Sequence, residues 1–179
     1  MKQYDFRFDT ELIKSLIGKT FLTYKHADFI VTDSVTGIIG FEINHQVFEL
    51  VNDYEALDYF GLDGEATIFS ISASNWTKVE SMINDDIKET YVNALVQKVI
   101  LVNDHTFSKN YDMWETKAIV FCFKKFEICF EKQDCWFSME IEIHKGHNSL
   151  NIIDDGKDIL NDFDRNTSVT IERTILEIV

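Results

Sequence analysis

Two histidines occupy matching positions in the two halves of this chain. His26 and His105 each follow the first predicted strand of a half, and a two-fold relationship between the halves would let the two side chains face each other. A neutral imidazole binds divalent transition metals and changes its charge near neutral pH. His26 and His105 are therefore a candidate metal pair or acid/base couple. The competing interpretation is a residue that both halves retain in surface loops without a function.

A second group with metal-binding chemistry lies further along the chain. Glu140, Glu142 and His144 alternate along a predicted strand, so their side chains point to the same face. Two carboxylates and an imidazole could bind a metal ion, or could act as a base and its orienting partner. His147 adds an HxxH spacing, but the helical HExxH context of zinc peptidases is missing. The competing interpretation is a solvated sheet edge.

The three cysteines are weaker candidates for a reactive site. Cys122, Cys129 and Cys135 lie in one apolar segment without CxxC spacing, which favours reduced, buried thiols over a disulfide framework. Cys135 and the downstream His144 could form a nucleophile and base only if the fold brought them together. The sequence has no nucleophile-elbow motif, and the apolar neighbours of Cys135 favour an unreactive thiol.

The acidic stretch over residues 151–164 has the composition of a calcium-binding loop but not its spacing. If Gly156 took the sixth place of such a loop, Ile153 would take the third, where an oxygen ligand is required. The sequence also has no GxxxxGK[ST] loop, and no GxGxxG between a strand and a helix. We therefore expect no cofactor.

Composition predicts a folded, acidic protein with a large core. The chain has 179 residues, of which 45% are hydrophobic, and this length can bury most of its apolar surface. Its formal net charge of -14 disfavours nucleic acids and anionic membranes, because both are bound by clustered Lys and Arg. No apolar run approaches the roughly 20 residues of a membrane span, and the first residues do not form a secretory signal. We expect a cytoplasmic protein that binds neither nucleic acid nor membranes.

One acidic cluster is interleaved with aromatic side chains. Acidic groups accelerate association with a basic partner, and aromatic groups are common anchors in protein interfaces. The competing interpretation is a solvated acidic face that keeps the protein in solution. The candidate partner-binding residues are Asp53, Tyr54, Glu55, Asp58, Tyr59 and Phe60.

The elements that would position these residues occur twice along the chain. Leu16–Leu22 reads LIGKTFL and Leu95–Leu101 reads LVQKVIL, and an alternating apolar segment follows each of them. Alternation of this kind predicts strands, with hairpin turns at Asn44-His45 and Lys124-Lys125. We predict two α-β-β-β-β units, over about residues 9–73 and 77–144, with a C-terminal extension over 145–179.

Each predicted unit begins with a helix. The first runs from Asp9 or Thr10 to Ile17 and ends at Gly18. The second is longer and spans Thr77–Leu95, where apolar residues recur at three- and four-residue steps. In the extension, we predict a short strand over 150–153, a helix over 157–163 and a closing strand over 169–178.

The expected fold is α+β, with a mainly antiparallel sheet and the helices on one face. A half of this size would be marginally stable alone, and the chain contains no proline and hence no proline-rich linker. We therefore expect residues 1–179 to form one domain with a shared core.

Charge and the missing catalytic motifs favour a non-enzymatic protein-binding module, of the inhibitor or immunity type, that docks a basic protein. The alternative is a small-molecule or metal-binding protein, which could be an enzyme, with a cleft between the repeat units. Exposed strand edges also invite pairing between copies, so a homo-oligomer is a third hypothesis.

Overall fold

The structure is a computed structural model. It describes residues 1–27, 34–35, 37–59, 62–83, 86–109, 111–133, 138–155 and 168–179. In chain order, the elements within these ranges are β1 (Lys2–Phe6), α1 (Thr10–Lys14), β2 (Thr20–Ala27), β3 (Ser34–Val35), β4 (Ile38–Ile43), β5 (Gln46–Tyr59), β6 (Leu62–Ser74), α2 (Trp76–Ile83), β7 (Ile87–Leu95), β8 (Lys98–Phe107), β9 (Tyr111–Cys122), β10 (Glu127–Lys132), β11 (Ile141–Gly146), a 3-10 helix (Ser149–Asn151) and β12 (Thr170–Ile178).

The strands form two mainly antiparallel sheets. The small sheet has the order β6-β5-β4-β2-β7, and the large sheet has the order β12-β8-β9-β10-β11-β3. β1 adds to the large sheet in parallel with β9, over Tyr111–Glu115, whereas β10 covers the rest of that side of β9, over Ala118–Cys122. β9 therefore pairs along one of its two edges with β1 first and then with β10.

A cluster of aromatic side chains packs the two sheets against each other. Phe21 of β2 stacks on Phe41 of β4 with ring centroids 5.5 Å apart, and it meets Phe121 of β9 edge-on at 5.1 Å. Edge-to-face and offset stacking are favourable geometries for aromatic rings. Phe130 of β10 and Phe48 of β5 belong to the same buried cluster. Residues from both predicted units thus share a core.

Each predicted unit contributes a run of consecutive strands to one sheet. β2, β4, β5 and β6 lie side by side in the small sheet, and β8, β9, β10 and β11 do so in the large sheet. Two strands pair with the other unit instead. β7, from the second predicted unit, pairs with β2 in the small sheet, and β3, from the first, pairs with β11 in the large sheet. The two runs have the order that the predicted units require, whereas duplication itself stays a prediction.

Both predicted hairpins are confirmed. Asn44 and His45 join β4 to β5 with φ angles of +51° and +65°, as a two-residue type I′ turn requires. The turn at Lys124-Lys125 joins β9 to β10, and it is closed by a hydrogen bond of 2.9 Å from the Phe123 N–H to the Phe126 carbonyl. The alternating pattern of apolar residues was therefore a sound guide to these strands.

The long helix predicted over Thr77–Leu95 is wrong in its second half. The helix ends at Ile83, and the following strand β7 pairs antiparallel with β2. Ile87, Tyr91 and Leu95 are 42%, 69% and 52% exposed, so their spacing does not mark a buried helix face. Pairing with the open edge of β2 outweighed the helical spacing, since local propensity is weak against tertiary contacts.

The first helix is confirmed but shorter than predicted. The Asp9 carboxylate caps it by accepting the Glu11 N–H at 2.9 Å, and the chain turns at Gly18, whose φ is +73°. Ile13 of this helix joins the core between the sheets, whereas α2 packs on the outer face of the small sheet. The prediction that the helices share one face is not confirmed.

The C-terminal extension contains one confirmed element. The closing strand is β12, which pairs with β8 at the edge of the large sheet. The strand predicted over 150–153 is wrong: this segment begins with a 3-10 helix preceded by Asn148, whose φ of +59° turns the chain out of an extended path. The helix predicted over 157–163 lies outside the described residues.

A glycine sets how closely α2 approaches the small sheet. A Cβ at Gly40 of β4 would lie 2.4 Å from Val79 Cγ1 and 2.8 Å from Trp76 Cζ3. Both distances are shorter than ordinary van der Waals contact. Val79 and Ile83 of the helix pack there against Ala27 and Ile38. Close packing of this helix therefore requires a residue without a side chain.

We predict that Gly40→Ala lowers the free energy of unfolding by about 1–3 kcal/mol, because the added methyl overpacks the contact. Urea denaturation measures this change. Gly146→Ala is the control, because a Cβ there would meet no atom within 4 Å, and it should change stability by less than about 0.5 kcal/mol. Equal midpoints for both variants and wild type would contradict this packing.

A buried carboxylate also attaches α2 to the sheet. Glu49 accepts hydrogen bonds from Lys78 Nζ at 2.7 Å, Ser74 Oγ at 2.7 Å and Ser72 Oγ at 3.1 Å. Burial raises the pKa of Glu49, but these three donors outweigh it, so the pKa lies below its ordinary value. The ionised form of Glu49 is therefore favoured in the folded protein.

We predict that Glu49→Gln destabilises the protein at neutral pH by about 1–3 kcal/mol, because it removes hydrogen bonds to a charged group. The contribution of Glu49 is present above its unfolded pKa of about 4.3. It is lost as the pH falls through the lower folded pKa. Stability curves of the variant and wild type should therefore converge in acid, and a difference independent of pH would refute this role of the charge.

Candidate functional sites

A row of charged side chains crosses the outer face of the large sheet. Arg173 of β12 pairs with Asp104 of β8 through two hydrogen bonds of 2.7 Å. Next in the row, Lys117 of β9 lies 3.6 Å from Glu131 of β10, and Glu131 lies 3.1 Å from His144 of β11. The cations Arg173 and Lys117 thus each lie beside an anionic partner, Asp104 and Glu131 respectively.

The end of this row brings together three side chains that could bind a metal ion. Glu131 and Glu142 are directly opposite each other in the β10–β11 register, and His144 is two residues beyond Glu142. His144 Nε2 lies 3.1 Å from Glu131 Oε2 and 3.6 Å from Glu142 Oε2. Ligand atoms of all three residues lie within 4.8 Å of one another, and they form the one such group within the described ranges.

Neighbouring groups orient the two carboxylates. Glu131 is buried, and its Oε1 accepts the Asp154 N–H at 2.9 Å. This leaves Oε2 directed toward His144. The Gln133 side-chain amide hydrogen-bonds to Glu142 Oε2. Groups of this kind fix the rotamers of metal ligands in proteins.

A cavity opens beside these residues. Its volume is about 270 Å³, and its lining includes Glu142, His144, His147, Ser149 and Ile152. The 3-10 helix forms one wall, because the Ser149 N–H donates to Glu127 Oε2 at 2.9 Å and holds the segment against β10. Water or a small ligand could therefore reach two of the three candidate metal ligands.

The prediction from sequence found two of the three members of this group. Glu142 and His144 lie in β11 as predicted. Glu140 precedes that strand and is not one of the three; Glu131 takes its place. The alternation of Glu131 with Phe130 and Lys132 indicates that it points away from the core. Its partner strand was not predictable, because a long connection rather than a tight turn joins β10 to β11.

The histidines of the predicted pair lie in different sheets. His26 is buried in β2 of the small sheet, where burial lowers its pKa and the nearby Lys88 ammonium lowers it further, against a backbone hydrogen bond at Ala27. In β8 of the large sheet, His105 Nε2 lies 2.6 Å from Asp112 Oδ1. The His105 ring stacks on the Trp114 ring with centroids 4.1 Å apart. Neither histidine belongs to the group of three ligands, and their joint metal site stays a prediction.

Five of the six candidate partner-binding residues lie along the distal half of β5. Asp53, Tyr54 and Glu55 are all exposed. Asp58 and Tyr59 pair with Asp63 and Leu62 of β6 in the backbone register. Phe60 lies outside the described residues. Three of the six predicted residues are thus shown to reach solvent, and two more share their strand.

This part of the β5–β6 hairpin extends past the neighbouring strand. β4 pairs with β5 only as far as Val51, and no described strand continues that pairing beyond it. At this point the Asn52 side-chain amide donates to the Ser138 carbonyl at 2.8 Å, and the Asn52 N–H donates to the Gly37 carbonyl at 2.7 Å. Asn52 therefore fixes the base from which the hairpin extends.

A buried lysine secures the other strand of the hairpin. Lys132 is fully buried, and its Nζ donates to the Thr67 carbonyl of β6 at 2.7 Å and to Glu115 Oε2 at 2.7 Å. Phe69, also on β6, contacts Phe8 with ring centroids 5.1 Å apart. The hairpin is thus held by Asn52 of β5 and along β6, whereas Asp53, Tyr54 and Glu55 of β5 are exposed.

The two cysteines within the described residues do not form a reactive site. Cys122 and Cys129 are both free and buried. Burial raises the pKa of Cys122 to about 11 and raises that of Cys129 well above its ordinary value. Both stay protonated at neutral pH, which suppresses nucleophilic reactivity. Cys135 lies outside the described residues.

We predict that the Cys135→Ser variant does not react with a chromogenic thiol reagent while it is folded, at about pH 8. Both remaining thiols should react once the variant is unfolded in urea. Wild type is the comparison, since any additional rapid reaction reports Cys135. Rapid labelling of the folded variant would contradict the burial of Cys122 and Cys129.

Two edge strands expose apolar side chains. β7 ends the small sheet with Ile87, Tyr91 and Leu95 exposed, and β12 ends the large sheet with Ile175 and Leu176 exposed. Unpaired strand edges can pair with other chains. Assembly into a homo-oligomer nevertheless stays a prediction.

Comparison with protein-family models, curated proteins and solved structures gives no match. No helix among the described residues has the length and apolar character needed to cross a bilayer.

Proposed function

We propose that this protein binds a basic protein through the exposed β5 side of its hairpin. The observation that carries the proposal is the placement of Asp53, Tyr54 and Glu55 on a strand segment that extends past β4 and faces solvent. Carboxylates at the rim of an interface attract a basic partner, and an aromatic side chain between them can serve as an anchor.

The charge of the whole chain supports this proposal. A net charge of -14 generates a negative potential that attracts basic proteins over distance and raises the rate of encounter. Inhibitor or immunity proteins that neutralise nucleic-acid enzymes need such a surface, because these enzymes carry basic substrate-binding faces. This is the class of protein that the surface fits.

The attachment of the hairpin also supports a binding role. Asn52 and Lys132 fix its base through hydrogen bonds to the rest of the fold. A segment that is already ordered loses less conformational entropy on binding than a flexible loop does. The acidic side chains are therefore presented on a prearranged strand.

The test uses two double variants with equal changes in net charge. Asp53→Lys with Glu55→Lys reverses the charge of the hairpin, and Glu11→Lys with Asp86→Lys does the same at exposed positions elsewhere. We expect the hairpin variant to bind its partner at least about tenfold more weakly, which corresponds to about 1.4 kcal/mol, and the control to bind like wild type.

The partner is first captured from lysate of the source organism on immobilised wild type and on both variants. It is identified by mass spectrometry and then titrated in purified form. We expect a basic protein that elutes with salt, because exposed charges are screened beyond about 10 Å at ordinary ionic strength. The proposal fails if no captured basic protein depends on Asp53 and Glu55, or if both double variants weaken binding equally.

A further inference from the structure

We propose that Glu131, Glu142 and His144 bind a first-row divalent metal ion of the Zn²⁺ type, with one coordination position open to the adjacent cavity. This inference is independent of the docking surface, because the three ligands lie on the outer face of the large sheet and the proposed docking residues lie on the hairpin.

The spacing of the three ligand atoms fits a metal centre. Zn²⁺ binds imidazole nitrogen and carboxylate oxygen at about 2.0–2.2 Å, so neighbouring ligands of a tetrahedral site lie about 3.4 Å apart. The distances from His144 Nε2 are 3.1 Å to Glu131 Oε2 and 3.6 Å to Glu142 Oε2. All three ligand atoms fall within 4.8 Å, so only small rotations of side chains would bring them around one ion.

Without a metal ion, the two carboxylates depend on separate hydrogen-bond partners: Glu131 Oε2 lies near His144 Nε2, and Glu142 Oε2 accepts the Gln133 side-chain amide. An imidazole nitrogen carries at most one hydrogen, so the N–H of Nε2 can be directed at only one of the two carboxylates that approach it. A divalent cation can bind the nitrogen and both carboxylates at once. It would also offset the repulsion between Glu131 and Glu142, which are opposite each other on adjacent strands.

The surroundings already hold the ligands in place. The Asp154 N–H donates to Glu131 Oε1 at 2.9 Å, and Lys117 Nζ lies 3.6 Å from the same oxygen. Both groups therefore act on Oε1 and leave Oε2 for the ion. Because Glu131 is buried, a metal bound there would be shielded from water on the side of the sheet.

The donor set and the cavity indicate the class of ion. One imidazole and two carboxylates suit Zn²⁺ and its first-row neighbours better than Ca²⁺ or Mg²⁺, which prefer sites made entirely of oxygen. Three protein ligands beside a cavity of about 270 Å³ match a site that keeps a position for water or a small ligand, rather than a closed structural site.

The test measures metal binding by untagged, metal-free protein with Zn²⁺ and Co²⁺ as probes. At a metal concentration about 100-fold above Kd, we expect the melting temperature of wild type to rise by about 5–10 °C. Titration calorimetry gives the stoichiometry, which should be one ion per chain. Co²⁺ should develop visible absorption bands typical of a site with nitrogen and oxygen ligands.

Glu142→Gln and His144→Gln are the test variants, because both positions are partly exposed and tolerate an amide. His147→Gln is the matched control, since His147 lines the cavity without belonging to the group of three. We expect each test variant to lose at least about tenfold in affinity and the control to bind as wild type does.

Circular dichroism of the metal-free variants establishes that they are folded, so loss of binding can be assigned to the ligands. If one test variant does not fold, the other still decides the question. The proposal is overturned if wild type shows no binding at millimolar metal, or if Glu142→Gln and His144→Gln bind as tightly as His147→Gln.

Discussion

The ammonium of Lys132 is buried between the two sheets, and a charge in such a place is tolerated only with a counter-ion and hydrogen bonds around it. Glu115 supplies the counter-ion and the Thr67 carbonyl a further acceptor, each at 2.7 Å. Because Thr67 belongs to β6, this interaction joins the large sheet to one strand of the hairpin. Removal of any one partner would leave a buried charge or a buried acceptor unsatisfied.

Both candidate sites depend on this strand end. Neighbouring side chains on a strand point to opposite faces, so the inward position of Lys132 requires Glu131 to point outward, toward His144 and Glu142. On the inner side Lys132 supports the hairpin, and on the outer side Glu131 provides the most buried of the three candidate metal ligands. The end of β10 thus contributes one residue, Lys132, to the support of the hairpin and the adjacent residue, Glu131, to the proposed metal site.

The sequence predictions were correct where local interactions decide the structure, and they failed where contacts between separate strands decide it. The hairpin at Asn44-His45 was predictable because the alternation of apolar and polar residues acts over a few residues on either side of the turn. The helix predicted through Leu95 failed because β7 is stabilised by β2, a strand more than sixty residues earlier in the chain. For the same reason Glu131 was missed, since it meets Glu142 and His144 only through the pairing of β10 with β11.

The sequence by itself determined the acidic character of the protein, the alternation that defines its main hairpins, and the interleaving of acidic and aromatic side chains between Asp53 and Phe60. These properties depend on composition and on local periodicity, which the chain carries wherever it folds. Only the tertiary structure decided that there are two sheets, that His26 and His105 lie in different ones, and that Lys132 is buried beneath the hairpin. The physical reason is that the choice of which strands pair across the fold, and of which side chains they bury, is made by contacts between segments that are distant in the sequence.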